Sequence, residues 1–527
     1  MLLHTHTHTR TSHRYNWNGD NAGPFSSDTY VEKWNQIQKA FPGADVVAST
    51  FDNFTQHLLG DPDVFAKLPV VKEEIGDSWI YGVPSDPQKV QRMRVMNREW
   101  TKFLKHNSMT PELQNATRFF LKAGYVFSSF FCFYTHTYTH ILQNSEHTWG
   151  RDVKSNLFDN DDWLNKDFEK ARAVDSNVSS QFMILEESWW EQRLWGISTA
   201  LDTLEGASHP LAKIIRDEFD NVKPVIPNTQ GLQIGHIDTM YTCGNVTLSF
   251  DSSGALSYIM STTTASSNVW ASKNKPLFEL KYRSYSADDV SDFFSQYCKS
   301  SASWVAHDYG KPGLPSSVVG EIFTPTVSNI FVDTEKCIFV LESSFDNIST
   351  LEYGAPSTVW TNVSIIDNSV VNVEMSMFNK TTTRIPEAMF VQFQTPNKNI
   401  TWSANKLGSW IEPDDIVDGG TKHLHGITEE GLRVRDNNNN NTMQISSLDA
   451  AVANFGMLTA YPSPVHETAD TSKDGSSFVL WDNLWGTNYI MWWPFIVPPP
   501  APYSNAGIDF PIEGNSDIKY RFSLSFL

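Results

Sequence analysis

A chain of 527 residues with 40 % hydrophobic and 13 % aromatic residues, including 18 Trp, has enough apolar material for several cores and is not composed like a disordered segment. Its 60 acidic residues against 40 basic ones give a formal charge of −20, which repels a phosphate backbone over most of the surface and argues against nucleic acid as a partner. No apolar run approaches the roughly 20 residues of a membrane span, and Met1-Leu2-Leu3-His4 opens no secretory signal, which leaves the compartment open.

Residues 1–14 form a low-complexity tail in which His4, His6 and His8 alternate with Thr, and they are expected to pack poorly. From Tyr15 to about Ala123 short strands alternate with helices. Ser27–Ala40 reads as a helix capped by Ser27 or Asp28, with Val31, Trp34 and Ile37 along one face. Asp45–Ser49 reads as a strand, and Pro87–Lys105 as a second helix turning Val90, Met93, Trp100, Phe103 and Leu104 inward. This is α/β material, too short for a closed barrel of about 250 residues.

Thr135–His140 repeats the His-Thr alternation of the start, and residues 124–145 read as an insertion within an α/β segment spanning 15–155. Residues 156–229 are patterned as a small helical bundle: Leu185, Trp189, Leu194, Ile197, Leu201 and Leu204 recur at three- and four-residue spacing before Pro210 breaks the run.

After Gln230 the period changes to two. Val246, Leu248 and Phe250 lead through Asp251-Ser252-Ser253-Gly254 into Leu256, Tyr258 and Met260, a hairpin signature. Val371, Val373, Met375 and Met377 repeat the alternation, as do Tyr520, Phe522, Leu524 and Phe526. Residues 230–527 therefore predict a large antiparallel β-sandwich, interrupted by the polar loop Asn437–Asn441 and the stiff Pro498–Pro500 stretch. The fold class is multidomain α+β: a partial α/β layer, a small helical bundle and the sandwich.

Cys132, Cys243, Cys298 and Cys337 show no CxxC spacing, which excludes a cysteine zinc site without settling the redox compartment. Nine Asn-x-Ser/Thr sequons occur, among them Asn53, Asn115, Asn245, Asn362 and Asn399, against roughly six expected by chance in so Asn-, Ser- and Thr-rich a chain.

A series of local motifs runs through this frame. Asn18-Gly19-Asp20-Asn21-Ala22-Gly23-Pro24 is followed by Ala48-Ser49-Thr50-Phe51, then Gly76-Asp77-Ser78-Trp79-Ile80-Tyr81-Gly82 and Glu146-His147-Thr148-Trp149-Gly150. Beyond them come Glu187–Arg193, Thr383-Arg384-Ile385-Pro386-Glu387-Ala388 and Asn483-Leu484-Trp485-Gly486-Thr487-Asn488. In that order the series resembles the class II α-mannosidases, glycoside hydrolase family 38, in particular a branch with a mannosidase-like amino-terminal domain. The resemblance implies an α/β segment of the family's seven-stranded, barrel-like kind.

It also implies a zinc-dependent retaining hydrolysis in two displacements acting on a mannoside-like glycan. His147 corresponds to the last zinc ligand of the family. Asp77, with Glu74 close by, falls in the general acid/base region, where a carboxyl beside Trp79 and Ile75 would have its pKa raised. Asp20, on a glycine-flanked loop, and Trp79 are the expected substrate contacts.

The family's His-x-Asp metal pair and its nucleophilic aspartate precede the motif that here begins at Gly19, so the resemblance implies a chain that starts after its nucleophile and is impaired as a hydrolase. A retained intron at 124–145 and a miscalled exon at the start would account for both His-Thr tracts. His236-Ile237-Asp238 repeats the His-x-Asp spacing, but at the sandwich entry an alternating strand suffices to explain it. A noncatalytic carbohydrate-binding or interaction protein, using the sandwich and its tryptophans, is the alternative.

Overall fold

The computed structural model describes residues 2–7, 10–15, 26–43, 45–69, 80–106, 110–111, 162–174, 197–262, 268–297, 311, 313–417, 420–461, 470–484 and 517–527. The chain divides into two compact units, residues 1–72 and 73–527.

In the first unit, β1 (Leu2–Thr7), β2 (Arg10–Tyr15) and β3 (Asp45–Ser49) pair antiparallel in the order β2-β1-β3. The start of the chain was expected to pack poorly, yet β1 is the central strand of this sheet. The β-branched Thr5 and Thr7 within it are compatible with extended backbone. Helix α1 (Ser27–Ala40) has the expected bounds, although its cap is Ser26, whose hydroxyl accepts from the Thr29 amide at 3.2 Å. Val31 is 59 % exposed and no residue of α1 is fully buried, so the predicted apolar face stays largely uncovered. Helices α2 (Phe51–Gly60) and α3 (Pro62–Phe65) complete the unit. No closed barrel forms among the described residues.

The second unit opens with a 3-10 turn, Ile80–Ser85, and α4 (Pro87–His106). Helix α5 (Asn165–Val174) follows, then α6 (Thr199–Gly206) and α7 (Pro210–Asn221). Met96 and Phe103 of α4 share one core with Leu201 and Leu204 of α6 and Leu211 and Ile215 of α7. The bundle expected from 156–229 therefore recruits α4, which the sequence pattern assigns to the α/β segment. Leu104 is 44 % exposed, and Val95 and Met96 take the inward positions instead.

Two ten-stranded antiparallel sheets follow. The first is built from β5 (Tyr241–Cys243), β6 (Val246–Phe250), β7 (Leu256–Ser261), β8 (Asn268–Ala271), β9 (Leu277–Ser284), β10 (Ile322–Phe323), β15 (Glu387–Phe393), β18 (Leu424–Gly426), β21 (Val452–Phe455) and β22 (Ser476–Asp482). The second holds β4 (Gln233–Ile234), β11 (Thr326–Asp333), β12 (Ile338–Ser344), β13 (Thr358–Ile366), β14 (Val370–Phe378), β16 (Ile400–Lys406), β17 (Ser409–Ile411), β19 (Leu432–Asp436), β20 (Thr442–Ser447) and β23 (Ile518–Phe526).

Their inner faces share one core, in which Phe250 of β6 meets Phe339 of β12 at 5.6 Å and Phe278 of β9 meets Phe522 of β23 at 5.7 Å between ring centroids. Trp270, Trp402 and Trp481 are buried, so these tryptophans serve packing. The Asp251–Gly254 turn forms as read: the Asp251 carboxylate accepts from the Ser253 and Ala255 amides, and Gly254 takes φ +85°.

The first sheet is covered on its other face as well. Helix α8 (Ala287–Tyr297), the 3-10 turn and Phe168 of α5 form a second core with Ala388, Phe390, Val452 and Val479. Strands β15 and β22 are consequently buried on both faces, which is why their sequences read as apolar runs without alternation.

Candidate functional site

The five sequence-predicted site residues, Asp20, Glu74, Asp77, Trp79 and His147, lie outside the described residues, as do residues 124–145 and Glu187–Arg193. Among the described residues no group of three or more His, Cys, Asp or Glu stands together to hold a metal ion. His236 and Asp238 sit on an exposed turn after β4 rather than on an alternating strand, and the Asp238 carboxylate pairs with Lys273 at 2.9 Å. Zinc thus rests on no described donor set.

What the fold brings together is the pair of signatures within the sandwich. Thr383–Ile385 lead into β15, and Asn483 leaves β22, its neighbour. The Asn483 side-chain amide donates to the carbonyls of Thr383 (3.1 Å) and Ile385 (3.0 Å), while its backbone amide donates to the Glu387 carbonyl at 2.9 Å. The remaining acceptor, Asn483 Oδ1, takes a hydrogen bond from Lys311 Nζ at 2.7 Å. Asparagine is the residue whose side chain offers two donors and an acceptor on a stem this short.

Glu387 is the ionic centre of the cluster. Its Oε1 accepts from Thr383 Oγ1 (2.6 Å) and pairs with Lys380 Nζ (2.7 Å), and its Oε2 accepts from the Tyr282 hydroxyl, which also stands against the Tyr353 carbonyl. Lys380 and Glu387 are 2 % and 0 % exposed at the side chain. The Arg384 guanidinium lies 3.9 Å from the centre of the Trp163 ring and donates to the Asp162 carbonyl at 3.3 Å, tying the segment before α5 to the sandwich. Asn165, the first residue of α5, donates to Thr381 Oγ1 at 2.8 Å. Gly354 (φ +83°) is needed because a Cβ there would run into the Thr383 methyl.

Burial governs the protonation of the flanking groups. The Lys311 ammonium is pushed down to about 7 by burial, opposed by the charges of Asp482 and Glu387. Burial likewise drives Lys380 below the ordinary lysine range against the pull of Glu387. The Asp482 carboxyl is raised well above the ordinary range by burial, although Ser85 Oγ donates to its Oδ1 at 3.3 Å. The arrangement fixes loop and strand ends in a dry environment. Lys311, Lys380 and Tyr282 were not singled out from sequence: two are isolated lysines, and Tyr282 is one inward position of an alternating strand.

A groove of about 300 Å³ lies elsewhere on the unit, lined by Val225, Asn228, Trp360, Asn362, Glu374 and Ser376, among others. The β13–β14 register sets Trp360 opposite Ser376 and Asn362 opposite Glu374, so an indole, a carboxylate and an amide share one sheet face.

A family model described as "Domain of unknown function (DUF5054)" matches residues 132–372. No curated protein matches the sequence. Among solved structures the chain is distantly similar to an α-mannosidase from Enterococcus faecalis V583, with 12 % identity and a TM-score of 0.31 over 56 % of this chain and 30 % of that one. It spans less than a third of the length of that enzyme. It is also distantly similar to a galactose mutarotase-like protein from Lactobacillus casei ATCC 334 (9 % identity, TM-score 0.28, 55 % of this chain and 99 % of that one). A GalM/aldose epimerase homologue from C. elegans gives 9 % identity and a TM-score of 0.27 over 56 % of this chain and 99 % of that one.

Proposed function

We propose that this chain is the bundle-and-sandwich portion of a glycoside hydrolase family 38-like protein that acts on mannoside-like carbohydrate. The observation that carries the reading is the direct bonding of its two sandwich signatures: segments a hundred residues apart, singled out by resemblance alone, interlock through Asn483 and the Glu387 backbone. Zinc at His147, acid/base chemistry at Asp77 or Glu74, and sugar contacts from Asp20 and Trp79 belong to the same reading, as do a barrel-like α/β layer before about residue 155 and domain limits near 155 and 230.

A second reading, noncatalytic carbohydrate binding, is favoured by the groove at Trp360. An indole face stacks on the C–H face of a pyranose, and Glu374 and Asn362 supply hydrogen-bond partners for its hydroxyls.

One set of experiments separates the two. Weak zinc binding lost in His147→Ala, with release of a chromogenic α-mannoside only once a segment carrying His-x-Asp and an aspartate nucleophile is supplied, supports the hydrolase reading. Glycan-array binding without turnover, lost in Trp360→Ala, supports the binding module. Absence of both binding and turnover in a folded sample would remove carbohydrate from the account.

A further inference from the structure

The chain carries nine Asn-x-Ser/Thr triplets against roughly six expected by chance, and four of those in the sandwich unit are placed distinctly by the fold. Asn245 lies in the two-residue turn between β5 and β6, closed by the pairing of Cys243 with Val246, and it is exposed. Its backbone amide donates to the Asn368 carbonyl at 2.9 Å, so the turn is anchored while the residue faces solvent. Asn347 opens the short helix α9 (Asn347–Leu351), next to its Asp346 cap, and is exposed. Asn399 is exposed just before β16, where its side-chain amide donates to Asn438 Oδ1 of the polar loop at 3.0 Å. Asn362 differs: it is paired in mid-strand with Val340 on one side and Glu374 on the other, and its Oδ1 is buried without a partner at the groove.

An independent observation points to the same chemistry. Cys243 and Cys337 are bridged, with Cα atoms 5.8 Å apart and a sequence separation of 94. The bridge ties the β5–β6 hairpin of one sheet to the turn entering β12 of the other. Such a crosslink persists in an oxidising compartment and is reduced in the cytosol. In secreted proteins the Asn-x-Ser/Thr triplet is the acceptor for N-linked sugar on surface loops.

We infer that this chain matures in an oxidising, glycan-transferring compartment, with Cys243–Cys337 closed and N-linked sugars on Asn245, Asn347 and Asn399, and with Asn362 unmodified. Closing the bridge forms one S–S bond, and its two electrons and two protons pass to an oxidised protein dithiol carrier. At each acceptor the amide nitrogen takes the anomeric carbon of an oligosaccharide from a lipid pyrophosphate donor, releasing the lipid pyrophosphate and the amide proton. Asn362 is excluded because its side chain is half-buried in mid-strand, with Oδ1 out of contact with solvent, where the other three lie exposed on turns and element ends.

The test uses the full chain purified from its own cells. Enzymatic removal of N-glycans in heavy-oxygen water should mark Asn245, Asn347 and Asn399 as labelled aspartates and leave Asn362 unlabelled. Peptide mapping without reductant should recover the Cys243 and Cys337 peptides joined. Asn245→Gln, Asn347→Gln and Asn399→Gln should each lower the intact mass by one glycan. Alkylation of both cysteines as free thiols, absence of label at the three acceptors, or label at Asn362 would each overturn the assignment, as would sugars without the bridge or the bridge without sugars.

Discussion

Glu387→Gln isolates the ionic centre of the sandwich. The substitution keeps volume and shape but takes from the Lys380 ammonium, 2 % exposed, its nearest counter-charge, leaving the weaker pull of Glu169. Stranding one member of a buried pair costs about 3–5 kcal/mol. An independent ceiling comes from the lysine itself: it escapes the penalty by losing its proton, which from a reference near 10.4 costs about 4.6 kcal/mol at pH 7. The two figures agree, so a loss of about 4 kcal/mol is expected at pH 7. The sign with pH is fixed. Lys380 already lies below the ordinary lysine range through burial, and removing Glu387 lowers it further. The unfolded variant then binds more protons than the folded one, and its stability rises with pH. At pH 9.5 the ceiling falls to about 1.2 kcal/mol, so most of the loss should vanish. Adding Lys380→Met to the variant should recover stability at pH 7, because no charge is then stranded. Urea unfolding at both pH values, with unchanged m, provides the measurement. A loss under about 1 kcal/mol at pH 7, or one equal at pH 7 and 9.5, would refute the reasoning.

The buried Lys311 makes a related prediction in the parent chain. Its ammonium is pushed down to about 7, so its contribution to stability is present above the ordinary lysine range and is lost as pH falls through about 7. Lys311→Met should flatten the rise in urea midpoint between pH 7 and 10. Asp482 has the opposite sign: its raised carboxyl contributes stability below the ordinary carboxylate range that is lost as pH rises through its folded value. Asp482→Asn should remove that part of the acid-side slope in the same titration. Arg94→Met should lower the melting temperature, with a cost of roughly 3 kcal/mol. The reason is that one guanidinium donates to the carbonyls of Leu448 (3.1 Å), Ile427 (3.1 Å) and Ser447 (2.8 Å), and the variant removes all three bonds, leaving Leu448 only the longer one from Arg98 at 3.5 Å. The double variant Cys243→Ser/Cys337→Ser should lose about 2–4 kcal/mol in the same melts, since it opens a loop closed across a sequence separation of 94.

Much of the sandwich was legible because one physical signal, burial on a single face, writes period two into the sequence. Val371, Val373, Met375 and Met377 are all buried in β14, and Tyr520, Phe522 and Leu524 in β23, as their alternation predicts. The signal fails where both faces are covered. Glu387–Phe393 carries no alternation because α8 packs on the side away from the sandwich core. The helices were legible in length, with α1 and α4 within a residue of their expected bounds, but not in partner. Periodicity shows that α4 has an apolar face without saying which element covers it, and α6 and α7 do. At the start, low complexity was read as absence of structure, whereas β1 and β3 pair through backbone groups that every residue type carries. In the site, resemblance picked out Glu387 and Asn483, while the cations that complete them were missed: Lys311 comes from a loop far from either motif in sequence, and Lys380 stands three residues before Thr383, just outside the motif.

The cluster they complete suits a device that fixes register. Glu387 pairs with Ser284 at the head of β15, and the next residue, Ala388, pairs with Asp482 at the end of β22. Because side chains alternate between faces, a slip of one residue along the β15–β9 ladder would carry Glu387 away from Tyr282, and a slip along the β15–β22 ladder would take Asn483 off the carbonyls of Thr383 and Ile385. The apolar part of β15 opposes such a slip only weakly, because Ala388, Met389, Phe390 and Val391 are apolar on both faces; the bulges at Met389/Phe390 and Gln392/Phe393 and the hydrogen bond from Gln392 Nε2 to the Asp474 carbonyl (2.8 Å) help to hold the register. The hydrophobic pattern, which specifies register in strands with one wet face, is silent here. The polar cluster shares that task, since a wrong pairing breaks its buried hydrogen bonds, and Asn483 extends the constraint to the neighbouring strand by reading the carbonyls of Thr383 and Ile385 directly.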